Sequence, residues 1–247
     1  MSVAAAGLAR YRPPVADPRD VLLVMADISG YTRFMVANAA ELGHGQAIIT
    51  ALLEAVLARV ELPMRVAKLE GDAVFLYAER GAAGYPRELG AGLLRFFDAF
   101  AEALARIAHA DVCTCGACKN APLLRLKVIA HAGKALPHRV GELEELAGVD
   151  VIVVHRLLKN SVGAAEYLLL SEAAAGVLTG LEGLSFDEYT ERYDEIGPVK
   201  VRVHVRGESQ RAAAEEAWKG ALWPRRFVFA RRWLSRLRRA PAAGGAP

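Results

Sequence analysis

Val21-Leu22-Leu23-Val24-Met25-Ala26 is an unbroken apolar run of strand length, closed by Asp27-Ile28-Ser29-Gly30. A strand apolar at odd and even positions alike has both faces covered. The segment therefore predicts a strand at the centre of a sheet, running into a turn and then a helix. A chain of 247 residues can bury the core that such a sheet needs, and its 53% hydrophobic and 24% charged residues argue against disorder and against collagen-like repetition.

Residues 1–19 have no clear period and read as a flexible lead-in to a domain over 20–208. Ile48, Leu52, Val56 and Val60 recur at helical spacing from Gly45 until Leu62-Pro63 ends the run. Met64–Glu70 and Ala73–Ala78, around Gly71-Asp72, predict a β-hairpin whose glycine supplies the positive φ of a tight turn. Leu93, Phe96, Phe97, Phe100 and Leu104 share one side of a helix over 87–108. Strands are predicted at Leu123–Ala132, closed by Gly133, and at Tyr167–Leu170, with Ser171 capping a short helix. Val199–Val205 alternates apolar and basic residues, the pattern of an exposed or edge strand. The fold class is mixed α/β with hairpins.

Two aspartates stand where strand ends can meet. Taken singly, Asp27 caps the next helix and Asp72 belongs to turn chemistry. Together they form a hard oxygen site suited to Mg²⁺ or Mn²⁺. The helix start at Ser29–Arg33 would offer backbone N–H groups to phosphate beside it.

Asp27-Ile28-Ser29-Gly30-Tyr31-Thr32 and Lys68-Leu69-Glu70-Gly71-Asp72 resemble the metal-aspartate motifs of class III nucleotidyl cyclases. The likeness continues in order through Leu126–Gly133, similar to the family's strand ending in His-x-Gly, and through Leu170–Ala173 and Ile196–Lys200. The chain resembles in particular an uncharacterised bacterial branch with a Cys-x-Cys-x-x-Cys segment and a His-Arg-Leu-Leu-Lys-Asn run. The resemblance implies a ferredoxin-like βαββαβ core, a mixed sheet flanked by helices, and a homodimer in which two chains complete each site. It implies ATP or GTP as ligand and two Mg²⁺ or Mn²⁺ ions per site, held by Asp27, Asp72 and the Ile28 carbonyl. Ile28, Ser29, Gly30, Tyr31 and Thr32 would contact the nucleotide, and Lys68 with Glu145 would read the purine. Lys68 also reads simply as a solvated strand lysine. Arg156 falls on the family's catalytic arginine, eight residues after Gly148, but Ile152 occupies its asparagine position. Asp150, His155, Lys159 and Asn160 are nearby substitutes. The expectation is a nucleotide-binding domain that either forms a cyclic nucleotide and pyrophosphate or serves as a catalytically degenerate regulatory module; a metal-dependent nucleotide hydrolase or transferase is a more distant alternative.

His109, Cys113, Cys115 and Cys118 make up a Cys-rich insertion over 109–120. Its readings are a Cys₃His zinc site, reduced structural or redox thiols, or a disulfide. His44, His138 and His204 are isolated and read as surface or core histidines; His131 lies where the family's strand approaches its site.

The formal charge of +3 is unevenly placed, because residues 221–247 carry seven arginines and no Lys, Asp or Glu. The body is slightly acidic, so no nucleic acid is expected there. The tail over 209–247 is expected to be helical with a disordered end, and to pack on a partner, stay solvated or lie on an anionic membrane. With no apolar run long enough to span a bilayer and no leader pattern, the expected location is cytoplasmic, membrane-peripheral at most through that tail.

Overall fold

The computed structural model describes residues 17–82, 89–109 and 113–207, with side chains described to residue 108 in the second span. The arginine-rich tail and most of the lead-in lie outside these residues. In chain order the elements are β1 (Arg19–Ser29), α1 (Tyr31–Ala37), α2 (Leu42–Leu57), β2 (Arg65–Glu70), β3 (Ala73–Glu79), α3 (Leu89–His109), α4 (Gly116–Asn120), β4 (Arg125–Val140), β5 (Leu143–Ala147), α5 (Val149–Leu157), β6 (Tyr167–Ser171), α6 (Glu172–Ala175), β7 (Asp187–Tyr193) and β8 (Gly197–Val205).

The strands form one mixed sheet in the order β2-β3-β1-β4-β6-β8-β7, with β5 paired to β4 as an arm. β1 is antiparallel to both neighbours, β3 and β4, whereas β4 and β6 run parallel. With its helices, the β2-β3-β1-β4 portion is the expected ferredoxin-like βαββαβ unit.

β1 is covered on both faces, as its apolar run requires. Leu22, Val24, Ala26 and Ile28 enter a core with α1, α2 and α3; Val21, Leu23 and Met25 enter a second core under α5. Ile48, Leu52 and Val56 of α2 and Leu93, Phe96, Phe97 and Phe100 of α3 are buried in the first core. Each such side chain contributes about 1.5–3 kcal/mol relative to exposure. The hairpin forms as predicted, with Gly71 at φ 66°, and the Ser171 hydroxyl accepts the Ala174 N–H to cap α6.

Two expectations need correction. Gly133 does not end β4, which continues to Val140 and pairs with β5. A glycine is needed there because a Cβ would overlap the Asp150 carboxyl, which accepts the Lys134 N–H at 2.6 Å. Nor is β8 an edge strand, since it bonds to β6 on one side and β7 on the other. Its alternation records one covered face, carrying Val201 and Val203, and one solvated face. The edge belongs to β7, whose Asp187-Glu188-Tyr189-Thr190-Glu191-Arg192-Tyr193 is charged enough to discourage further pairing. Among the described residues no helix is long and apolar enough to cross a membrane.

Candidate functional site

β1 delivers Asp27 beside the β2–β3 turn that carries Asp72. Asp27 lies opposite Ala73 in the β1–β3 register, and the Ile28 N–H donates to the Asp72 carbonyl at 3.2 Å, pinning the turn to the strand end. Burial, and then the adjacent Asp27 carboxylate, push the Asp72 carboxyl up to about 6. On the other side of β1, Lys127 lies opposite Asp27 and its Nζ is 2.8 Å from Asp27 Oδ2. Burial alone would lower the Lys127 ammonium, but the Asp27 carboxylate outweighs it and raises it.

Two carboxylates, one on a strand end and one in the adjoining turn, the second raised by burial and then by the first, make a donor set that fits a hard divalent cation. Lys127 supplies a single positive charge to one member of the pair. In the sequence Lys127 is marked only as a lone lysine in an otherwise apolar strand stretch, Leu126-Lys127-Val128-Ile129-Ala130.

The fold brings Lys68 and Glu145 together. Lys68 Nζ donates to Glu145 Oε2 at 3.2 Å and lies 3.0 Å from Glu70 Oε1. The β4–β5 arm carries Glu145 to β2, which depends on β4 running past Gly133. Hydrogen bonding to Glu70, more than Glu145, raises the Lys68 ammonium. Burial would raise the Glu70 carboxyl, but hydrogen bonds from His155 and Lys68 hold it below its ordinary value. His155 Nε2 is 3.1 Å from Glu70 Oε1, its Nδ1 faces the Val151 carbonyl at 2.7 Å, and its ring packs edge-on against Phe75. The arm and the β2–β3 hairpin enclose an open groove of about 520 Å³ lined by Arg65, Tyr77, His138, Arg139 and Glu145 among others.

α5 places Ile152 and Arg156 one turn apart on its exposed face, with Ile152 52% exposed and Val149 nearby at 67%. The opposite face, carrying Val151, Val154 and Leu157, packs on the sheet. Of the suggested substitutes, Asp150 is engaged by His131 Nε2 at 2.9 Å and by Lys134 N–H, and His155 by Glu70. Asn160 bonds to the Leu157 carbonyl and the Tyr167 hydroxyl. Buried His131 also meets Ser171 Oγ at 2.8 Å, so it ties β4 to β6 and α5.

The cysteines carry no disulfide. The His109 side chain lies outside the described residues. The histidine found beside them is exposed His44 of α2, whose Nδ1 is 3.5 Å from Cys113 Sγ and 3.3 Å from Cys115 Sγ. His138 lines the open groove, and His204 Nδ1 bonds to the Ser185 carbonyl.

The fold is that of class III nucleotidyl cyclase domains. A bacterial light-regulated adenylyl cyclase superposes with a TM-score of 0.61 at 15% identity, covering 85% of this chain and 58% of that one. The guanylyl cyclase Cya2 gives 0.60 at 12% identity, covering 78% and 96%. The adenylyl cyclase CyaB from P. aeruginosa gives 0.55 at 12% identity, covering 78% and 97%. Residues 49–167 match the family model described as a protein of unknown function, DUF2652. The "Uncharacterized protein Rv2561/Rv2562" of Mycobacterium tuberculosis is 36% identical over 132 residues, covering 51% of this chain and 58% of the relative. The chain thus spans less than two thirds of that relative's length.

Proposed function

We propose that the domain binds a purine nucleoside triphosphate with divalent metal at the Asp27–Asp72 strand ends, as a homodimer, and converts it to a cyclic nucleotide and pyrophosphate. The observation that carries this reading is the adjacency of the two carboxylates, with Asp72 pushed up to about 6 by burial and Asp27.

Asp27, Asp72 and the Ile28 carbonyl would hold Mg²⁺ or Mn²⁺. When bound, such ions acidify the ribose 3′-hydroxyl and neutralise triphosphate charge for in-line attack on the α-phosphorus. The chain's own residues do the rest. The segment Ile28-Ser29-Gly30-Tyr31-Thr32 leads from the metal aspartate into α1 and lies beside the phosphates. Lys68 donates to the purine while Glu145 and Glu70 fix its ammonium; Glu145 accepts from a 6-amino group, which adenine carries and guanine lacks, and so favours ATP. Arg156 of one subunit approaches the triphosphate of the other, and the exposed apolar residues Val149 and Ile152 beside it are covered by the second copy.

Specific features favour a second reading, binding without turnover. Ile152 has no donor to orient toward developing charge, and Lys127 already neutralises part of the carboxylate pair. Incubating the protein with ATP or GTP and Mn²⁺, and reading products by mass spectrometry, separates the two. Cyclic product lost in both Asp27→Ala and Asp72→Ala supports the cyclase. Nucleotide binding without product from a folded dimer supports the regulatory module, and no binding overturns both.

A further inference from the structure

Cys113, Cys115 and Cys118 precede β4, whereas His44 lies in the first turn of α2, about 70 positions earlier in the chain. The fold brings their four ligand atoms within 4.8 Å of one another. A tetrahedral zinc ion with bonds of about 2.0–2.3 Å separates its ligand atoms by about 3.3–3.8 Å. The His44 distances to Cys113 and Cys115, 3.5 and 3.3 Å, already lie in that range.

The surrounding backbone is arranged around this cluster. Cys115 caps α4, its Sγ accepting the Cys118 N–H at 3.4 Å. Glu41, three residues before His44, accepts the Ala117 N–H at 3.0 Å. Asn120 Nδ2 donates at 3.1 Å to Asn38 Oδ1, and Asn38 is itself buried and bonded to the Phe34 carbonyl. Ala117 and Ala121 are fully buried against the helix-side core. The cysteine segment is thus docked on the α1–α2 corner by contacts independent of the thiols, which holds the four ligands in register. A dithiol pair would not need the imidazole, and three cysteines in one loop cannot all pair internally.

We propose that His44, Cys113, Cys115 and Cys118 bind one Zn²⁺ per chain in a closed, structural Cys₃His site. Three thiolates and one imidazole select a thiophilic ion, and four protein ligands leave no open position for catalysis. The ion staples α2 to the segment leading into β4. These two connections flank the strands that carry Asp27 and Lys127, so the staple fixes the sheet end on which the carboxylate site is built. The proposal stands whether or not the domain turns over a nucleotide.

The test uses the full-length chain, purified without chelator. Elemental analysis is expected to give one zinc per chain. Zinc falls below about one fifth of that in Cys115→Ser and His44→Ala but is retained in His109→Ala. Should His44→Ala not fold, His44→Cys provides the second variant: it keeps the metal, and its Co²⁺ form shows stronger sulfur-to-cobalt charge transfer than wild type. Co²⁺ added to chelator-stripped wild type is expected to give the intense visible bands of a tetrahedral, thiolate-rich site. Protein that purifies without zinc, exposes three reactive thiols and takes up neither Zn²⁺ nor Co²⁺ overturns the proposal. So does loss of zinc from His109→Ala together with its retention in His44→Ala.

Discussion

Lys68 and Glu145 are 77 positions apart in sequence and meet at 3.2 Å, Nζ to Oε2, where the β4–β5 arm crosses back over β2. The contact is half exposed, so it contributes little to stability, on the order of 0–1 kcal/mol. With Glu145 lining the open groove between the arm and the β2–β3 hairpin, recognition is the more economical role. Glu145→Ala is expected to weaken binding of an adenine nucleotide about tenfold while leaving the melting temperature within about 2 °C. Titration with a fluorescent ATP analogue and a GTP analogue checks this; equal loss for both bases, or no loss, would remove Glu145 from base selection.

Asp72 makes a pH prediction of definite sign. Its pKa is higher in the folded protein, about 6, than in the unfolded chain, so protonation favours the folded state. Its contribution is most favourable below about pH 4 and is lost as pH rises through about 6. Asp72→Asn should therefore stabilise the metal-free protein at pH 7.5 by about 1 kcal/mol, a figure reduced for the solvent on its exposed side. The gain should vanish near pH 4. Urea denaturation of both proteins at the two pH values is the measurement, and a gain that does not change with pH contradicts it.

Lys127 is the counter-charge of a half-buried pair, with 19% of its side chain exposed against 15% for Asp27. Removing the cation leaves two carboxylates facing each other. Lys127→Met is expected to cost about 2 kcal/mol in metal-free protein, since breaking a buried pair from one side is more damaging than replacing it whole. Millimolar Mn²⁺ should restore most of that loss by binding the folded state. Thermal melts with and without Mn²⁺ decide, and a deficit that Mn²⁺ leaves untouched argues against a cation site there.

Ile152 lies on the exposed face of α5, one turn before Arg156, so a polar side chain fits there within one chain, and in the proposed dimer it would face the nucleotide site of the second copy. If the missing donor limits cyclisation, Ile152→Asn should raise the rate of cyclic product by roughly 10²-fold, the usual worth of one oriented donor to developing charge. Product quantified by mass spectrometry with matched dimer content tests this; an unchanged rate means that the position does not act on the reaction.

The sequence by itself determined the central strand, because a run apolar on both faces has only one stable place in a layered domain. It also fixed the hairpin through Gly71-Asp72 and the buried faces of α2 and α3, since these are local patterns of period and turn chemistry. The family resemblance set Asp27 with Asp72 through two motifs that stand in order along the chain, and implied Lys68 with Glu145 without a motif at Glu145. The tertiary structure decided what depends on neighbours distant in sequence. Gly133 looked like a strand end, but the Asp150 carboxyl arriving from α5 requires the missing side chain there. Alternation in β8 reported a solvated face, and only pairing could say that the highly charged β7 lies outside it. Lys127 showed no motif, and its role arose when strand register put it opposite Asp27. His44 stands alone in sequence, and its meeting with three cysteines was set by how α2 packs against the segment before β4. Local sequence records which faces are wet or dry, whereas ligand sets and charge pairs are made by register and packing between segments that no local pattern connects.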